Sequence, residues 1–287
     1  MTSDQRLPIR RTAKLFVGGQ FPRSESGRSY EVWSSDGRLL AHAARASRKD
    51  LRDAIVAARG ALAGWAGRTA YNRGQILYRV AEIIEGRRAQ LEDELRDAGS
   101  PDPAREVSVA IDRWVWYAGW ADKIAQVAGG ANPVAGPYFN FTIPEPTGVV
   151  GIVAPADAPL LGLVSRVAPA IVSGNTVVAI ASETAPLPAV SLAEALATSD
   201  VPGGVINLLT GHPDELVPWL AGHMDVNAID LTGCPPDLVA EAERAAAENV
   251  KRVHRARTTD VFSAAAQHLS EITAFVEFKT VWHPMGA

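Results

Sequence analysis

From Thr147 to Val253, short apolar runs alternate with stretches of helical periodicity, and few architectures accommodate that order. The apolar runs are Val149–Val153, Thr176–Ile180, Val205–Leu209, Ala228–Leu231 and Val250–Val253. Between them lie Leu160–Val172, Pro188–Leu196, Asp214–Leu220 and Asp237–Ala247, with apolar residues at three- and four-residue steps. Strands that are apolar throughout need cover on both faces, and strands separated by helices run parallel. The expected fold class is α/β, a Rossmann-like doubly wound parallel sheet.

The region before this block reads differently. Lys14–Phe21, with Gly18 and Gly19, suggests a short strand and turn, and Tyr30–Trp33 a second strand. Ser47 with Asp50 three residues on resembles a capping box ahead of the stripe Leu51, Ile55, Ala58, Leu62 and Trp65. Tyr71–Leu95 predicts one long helix, stopped by Gly99-Ser100-Pro101. Arg105–Val127 predicts another, its Trp and Tyr residues reading as core. Gly129–Pro137 is turn-rich. Tyr138–Ile143 alternates aromatic against polar residues, as in a strand with one open edge. Ile272–His283 alternates with period two and predicts a C-terminal strand reached through a short polar connection.

Charge and cysteine usage narrow the function classes. A formal net charge of -4 supplies no basic face for nucleic acid or a membrane surface. The most apolar stretch, Val149–Val172, carries Asp157, Arg166 and three prolines, which suits no membrane span. Met1–Lys14 is polar and basic without the apolar region of a secretory signal. The single cysteine allows no internal disulfide and fits a reducing compartment, so a cytoplasmic protein is expected. The Ala- and Arg-rich composition suggests a bacterium with GC-rich coding. The six histidines show no metal-ligand spacing, and no metal site is expected.

Several motifs, in order, resemble the NAD(P)-dependent aldehyde dehydrogenases. These are Tyr117-Ala118-Gly119-Trp120-Ala121-Asp122-Lys123, Glu145-Pro146-Thr147-Gly148-Val149-Val150-Gly151 and Ala168-Pro169-Ala170 with Gly174-Asn175-Thr176-Val177-Val178. Pro202-Gly203-Gly204-Val205-Ile206-Asn207, Thr210-Gly211 and His223-Met224-Asp225-Val226 continue the match. The resemblance covers nearly all of Lys14–Val253. In the family a catalytic domain follows the exit strand, here Lys251-Arg252-Val253, and the chain then returns as a final oligomerisation strand. Phe275–Val281 already resembles that final strand, so the catalytic domain is expected to be missing. The chain looks most like the truncated C-terminal module of the two-module, family-sixteen aldehyde dehydrogenases. The resemblance divides it into a cofactor-binding-type domain, 1–270, with an oligomerisation hairpin near 129–147, and a C-terminal oligomerisation strand, 271–287.

Carried over position by position, the family's chemistry is depleted. Its nucleophilic thiol has no counterpart. Cys234, the only cysteine, falls on the cofactor turn and reads as a small apolar filler rather than a thiol activated by a helix N-terminus. The general-base region reads Ala256-Arg257-Thr258-Thr259, and alanine cannot take a proton. Nearby His254 reads as structural. Asp157 stands where the family has an oxyanion-binding asparagine, and a carboxylate would repel developing negative charge. The family's Gly-Ser-Thr-x-x-Gly pyrophosphate turn is Gly233-Cys234-Pro235-Pro236-Asp237-Leu238, which loses the hydroxyls and two N–H donors. The family's ribose-binding lysine is Ile180. Glu183 is either a remaining ribose ligand or a solvated loop carboxylate. The resemblance thus implies no catalytic residue. It leaves vestigial cofactor positions at Pro155, Ser182, Glu183 and Gly233, with no cofactor expected or NAD or NADP held weakly.

What this implies is a pseudoenzyme: a non-catalytic partner of a full-length aldehyde dehydrogenase, or of itself, docking through the hairpin and final strand. The alternatives are NAD(P)-dependent aldehyde oxidation in a composite site completed by a partner, and a nucleotide-sensing scaffold.

Overall fold

A computed structural model describes residues 9–256 and 260–286. The chain opens with a small sheet, β1 (Arg11–Ala13), β2 (Ser29–Trp33) and β3 (Leu39–Ala44), in which β3 lies centrally, parallel to β1 and antiparallel to β2. Gly18 and Gly19 make the predicted turn, and Phe16 bridges to Leu208 in the main sheet. Ser47 caps α1 (Arg48–Ala66) through the reciprocal box with Asp50.

Two long helices predicted from the sequence are interrupted. The first divides at Arg87 into α2 (Ala70–Gly86) and α3 (Arg88–Asp97). Gly86 weakens the helix there, and the Arg87 guanidinium reaches Glu194. The second divides into α4 (Pro103–Ala118) and α5 (Ile124–Ala128), with turns from Gly119 to Lys123. Trp114 and Tyr117 are buried, as core aromatics should be.

The alternating block forms β6 (Val149–Val153), α6 (Leu161–Val172), β7 (Thr176–Ile180), α7 (Leu187–Ala197), β8 (Ile206–Leu209), α8 (Pro213–Gly222), β9 (Ala228–Asp230), α9 (Pro236–Ala247) and β10 (Arg252–His254). All five strands are parallel, in the order β10-β9-β6-β7-β8. Period two sorts their side chains between the faces. Val149, Val153, Val178, Ile180 and Ile229 pack with α1, α8 and α9. Val150, Ile152, Val177 and Ala179 pack with α2, α4, α6 and α7. This is the doubly wound architecture expected from the sequence.

A third sheet carries β4 (Gly130–Asn132), β5 (Tyr138–Pro146) and β11 (Val276–Pro284), with β5 central and antiparallel to both neighbours. β11 pairs with β5 from Val276↔Pro146 to Pro284↔Tyr138. The strand therefore starts later than its alternation suggests. Leu269–Thr273 is a helical turn, α10, preceded by a 3-10 turn at Ala264–Ala266. The connection is packed rather than merely polar, with Ala266, Ile272 and Phe275 buried.

Candidate functional site

In the sheet, β7 and β8 are added on one side of β6, and β9 and β10 on the other, so the strand order reverses between β6 and β9. The crevice beyond the carboxyl ends at such a switch point is where open α/β sheets bind ligands. Three of these strand ends carry the positions the sequence singled out: Pro155 after β6, Ser182 and Glu183 after β7, and Gly233 after β9.

Pro155 and Gly233 are brought together. A Cβ on Gly233 would lie 2.2 Å from the Ala154 carbonyl and 2.4 Å from the Pro155 nitrogen, so only glycine fits. The turn that follows offers a phosphate little. The amides of Gly233, Cys234 and Leu238 donate to the carbonyls of Val153, Leu231 and Pro235. Pro235 and Pro236 have no N–H, and Asp237 adds a carboxylate to the first turn of α9. Cys234 is buried, and burial raises its thiol pKa, which fits an apolar filler and not a nucleophile.

Ser182 and Glu183 have partners of their own. The Ser182 hydroxyl accepts the Ala185 amide at 3.2 Å and lies 3.4 Å from the Thr184 hydroxyl. Glu183 lies 2.5 Å from His212 Nδ1, whose ring meets Tyr30 at a tilt, 5.2 Å between centroids. Ile180 is buried in the strand and donates nothing. Among the described residues, the turn after β9 lacks the free amides that a dinucleotide's pyrophosphate would need.

Asp157 is exposed at the crevice rim. Behind it sits a carboxylate that sequence reasoning missed. Glu106, buried on α4, accepts the amides of Leu160 (3.1 Å) and Leu161 (3.3 Å) and the Ser100 hydroxyl (2.9 Å). Burial raises its pKa, against the pull of those donors. The amides opening α6 are thus satisfied by an internal carboxyl oxygen. Of the general-base region, only Ala256 is described, and its amide donates to the Thr232 hydroxyl at 2.8 Å. Arg257, Thr258 and Thr259 lie outside the described residues.

Also missed was a buried ionic cluster. Arg166 of α6 pairs with Glu271 of α10 and lies 3.5 Å from Asp230 at the end of β9. His254 Nε2 lies 2.9 Å from Glu271. Burial alone would raise the Glu271 pKa, but the His254 hydrogen bond and the Arg166 charge hold it at about 2. Arg166, Glu271, Pro155, Asp157 and Thr232 help line a cavity of about 290 Å³. A larger one, about 730 Å³, lies between α1 and α8, where the Arg48 guanidinium sits 3.7 Å over the Trp219 ring. Among the described residues no group of three or more His, Cys, Asp or Glu could hold a metal ion. No described helix is long and apolar enough to cross a membrane.

The third sheet is the other conspicuous surface. Its Phe139 and Phe141 rings lie 5.3 Å apart, and Tyr138 meets Trp282 edge-on at 5.7 Å. Phe139 (48%), Phe278 (49%) and Trp282 (58%) are largely exposed, more than aromatic side chains on a sheet usually are. β11 ends the sheet, and its outer edge has no partner among the described residues.

Comparison with known proteins matches this architecture. The model of the aldehyde dehydrogenase family matches residues 21–256. Human retinal dehydrogenase 2 is 34% identical over 248 residues, covering 84% of this chain and 47% of the relative. The 2-hydroxymuconic semialdehyde dehydrogenase of Pseudomonas sp. (strain CF600) is 37% identical over 250 residues, covering 84% and 51%. Among solved structures, the NAD+ complex of an aldehyde dehydrogenase from Bacillus cereus superposes with a TM-score of 0.80 at 27% identity, covering 86% of this chain and 51% of that one. HpcC from Thermus thermophilus gives 0.81 at 33%, covering 86% and 48%. The chain spans about half the length of these relatives, and β11 follows β10 after residues 255–275 alone. With the family's model matched over residues 21–256, most of its length, the chain belongs to the aldehyde dehydrogenase family.

Proposed function

We propose that this chain is a non-catalytic partner subunit of a full-length aldehyde dehydrogenase. The observation that carries this reading is an asymmetry between its two surfaces. The crevice has a buried cysteine, prolines at the phosphate turn and Asp157 at its rim. The third sheet, by contrast, is fully formed, with aromatic side chains exposed and the β11 edge open. An open edge of this kind takes a further strand through main-chain hydrogen bonds, and flanking side chains select the partner. In the family that the chain resembles, the final strand extends a neighbour's catalytic sheet. The described residues between 255 and 275 form no such sheet here, so a second copy of this chain has none to offer, and a full-length subunit is the better match. We place the protein in the cytoplasm of a bacterium, in keeping with its lone buried thiol and its composition. NAD and NADP are not held at useful affinity in this reading.

Co-expression with a tagged full-length aldehyde dehydrogenase from the same genome tests the proposal. The untagged chain should co-purify, and Trp282→Glu should weaken recovery by about tenfold, as for an interface aromatic. Recovery of the chain as a monomer indifferent to that enzyme would refute it. A second reading, aldehyde oxidation in a site shared with the partner, draws on Glu183, whose carboxylate keeps 42% exposure. It requires calorimetric binding of NAD or NADP by this chain.

A further inference from the structure

The geometry points to residues Val261–Phe275 as a built-in plug that holds the switch-point crevice shut. This goes beyond the docking reading and does not depend on it. Its Val261, Ala266 and Glu271 meet Pro155, Thr232 and Arg255, which follow β6, β9 and β10, in lining the 290 Å³ cavity, and Phe275 lies at the opposite end of the sheet, beside Thr147 and Asn175. With the segment in place, the space left beside the strand ends is about 290 Å³.

The segment is fastened by charge beside the crevice and by apolar packing at its far end. Arg113 of α4 donates to the Val261 carbonyl at 2.9 Å, and the Arg105 guanidinium lies 4.9 Å from the Phe262 ring. Glu271 is held by Arg166 and His254. The Phe275 carbonyl accepts from Asn175 at 2.8 Å. Arg113 and Arg166 are both almost fully buried, and Nε and Nη1 of Arg113 have no hydrogen-bond partner among the described residues. Burying guanidinium groups is costly unless carboxylates and carbonyls meet them, and water would hydrate both groups if the segment lifted. Ala266, Ile272 and Phe275 are its buried apolar side chains. A cover keyed over the crevice by ion pairs, and anchored beyond it by Ile272 and Phe275, can lift at its crevice end without unfolding the sheet. Glu271 is the key, because it alone joins α10 to Arg166 and His254.

Thiol labelling of the full chain tests this, with Cys234→Ser removing the native thiol. Ala266→Cys probes the buried side of the plug, and Ala265→Cys beside it is the exposed control. The Ala266→Cys thiol should react with a maleimide at least about 100-fold more slowly than the control. Adding Glu271→Gln should speed it by at least about tenfold, while α6 and β6 amides keep their hydrogen-exchange protection. Equal rates at the two positions would overturn the proposal. So would a Glu271→Gln variant that labels no faster, or one in which α6 and β6 lose protection together with the plug. If Ala266→Cys does not fold, hydrogen exchange over residues 264–273 in the wild-type chain and in Glu271→Gln reads the same opening.

Discussion

Replacing Asn175 with alanine should destabilise the protein more than any loss of surface polarity could. This carboxamide is fully buried at the turn between α6 and β7. Its Oδ1 accepts the Gly148 amide at 2.8 Å, at the entry to β6. Its Nδ2 lies 3.0 Å from the Ala170 carbonyl, 2.9 Å from the Ser173 hydroxyl and 2.8 Å from the Phe275 carbonyl, just before β11. One side chain therefore ties the first parallel strand, the end of α6 and the approach to the C-terminal strand. In Asn175→Ala the Phe275 carbonyl keeps the Thr147 amide at 3.2 Å, and the Ala170 carbonyl keeps the Ser173 hydroxyl at 3.1 Å. The Gly148 amide loses its partner inside the protein. An orphaned buried donor costs about 1–3 kcal/mol and each further lost bond about 1 kcal/mol, giving about 4 kcal/mol in total. For a chain of this size that lowers Tm by roughly 10 °C. Thermal melts and urea titrations of the wild type and Asn175→Ala measure it, provided the urea slope stays constant. A loss below about 1 kcal/mol would refute the hydrogen-bond accounting.

Three further outcomes follow from the same structure. Glu271, held at about 2 in the folded chain against an ordinary 4.5, contributes stability that is complete above pH 4.5 and drains away as pH falls towards 2. Its share is about 3 kcal/mol, so urea titrations between those pH values should show a shallower acid loss in Glu271→Gln, and an unchanged slope would contradict the ionic cluster. Restoring the family's phosphate turn with Cys234→Ser and Pro235→Thr returns two hydroxyls and one N–H. Calorimetry should then detect a gain of about tenfold or more in ADP affinity, and no gain would mean that the turn is not what limits binding. Finally, the buried Cys234 thiol should react with Ellman's reagent at least about tenfold more slowly in the native chain than in urea, and fast native labelling would argue against an apolar filler.

How much of this was legible in the sequence depended on whether the determining contacts were periodic. The parallel sheet was, because each strand is buried on both faces and carries apolar residues without interruption. The Ser47–Asp50 box was, because capping is local. The strand Leu39–Ala44 was not; its alanine-rich sequence lacks the β-branched and aromatic residues that mark strands, and it forms because β1 and β2 pair with it. The helix breaks at Arg87 and after Ala118 were hidden under apolar spacing that continues across them. At the C-terminus, Ile272 and Thr273 extend the alternation of β11 but lie in α10, where Glu271 meets Arg166 more than a hundred residues earlier in the chain. Long-range charge pairs of this kind leave no periodic trace. For the candidate site, the residue losses could be read directly. The engagement of Ser182, Glu183 and Glu106 with internal partners could be seen only in three dimensions.

The claim that the scaffold docks without reacting is tested most directly by turnover. The purified, partner-free chain should be incubated with NAD or NADP and a panel of aliphatic and aromatic aldehydes, following reduced-nicotinamide absorbance. The account predicts a rate no higher than that of a heat-denatured control. A steady rate above that control, proportional to the amount of chain, would contradict it.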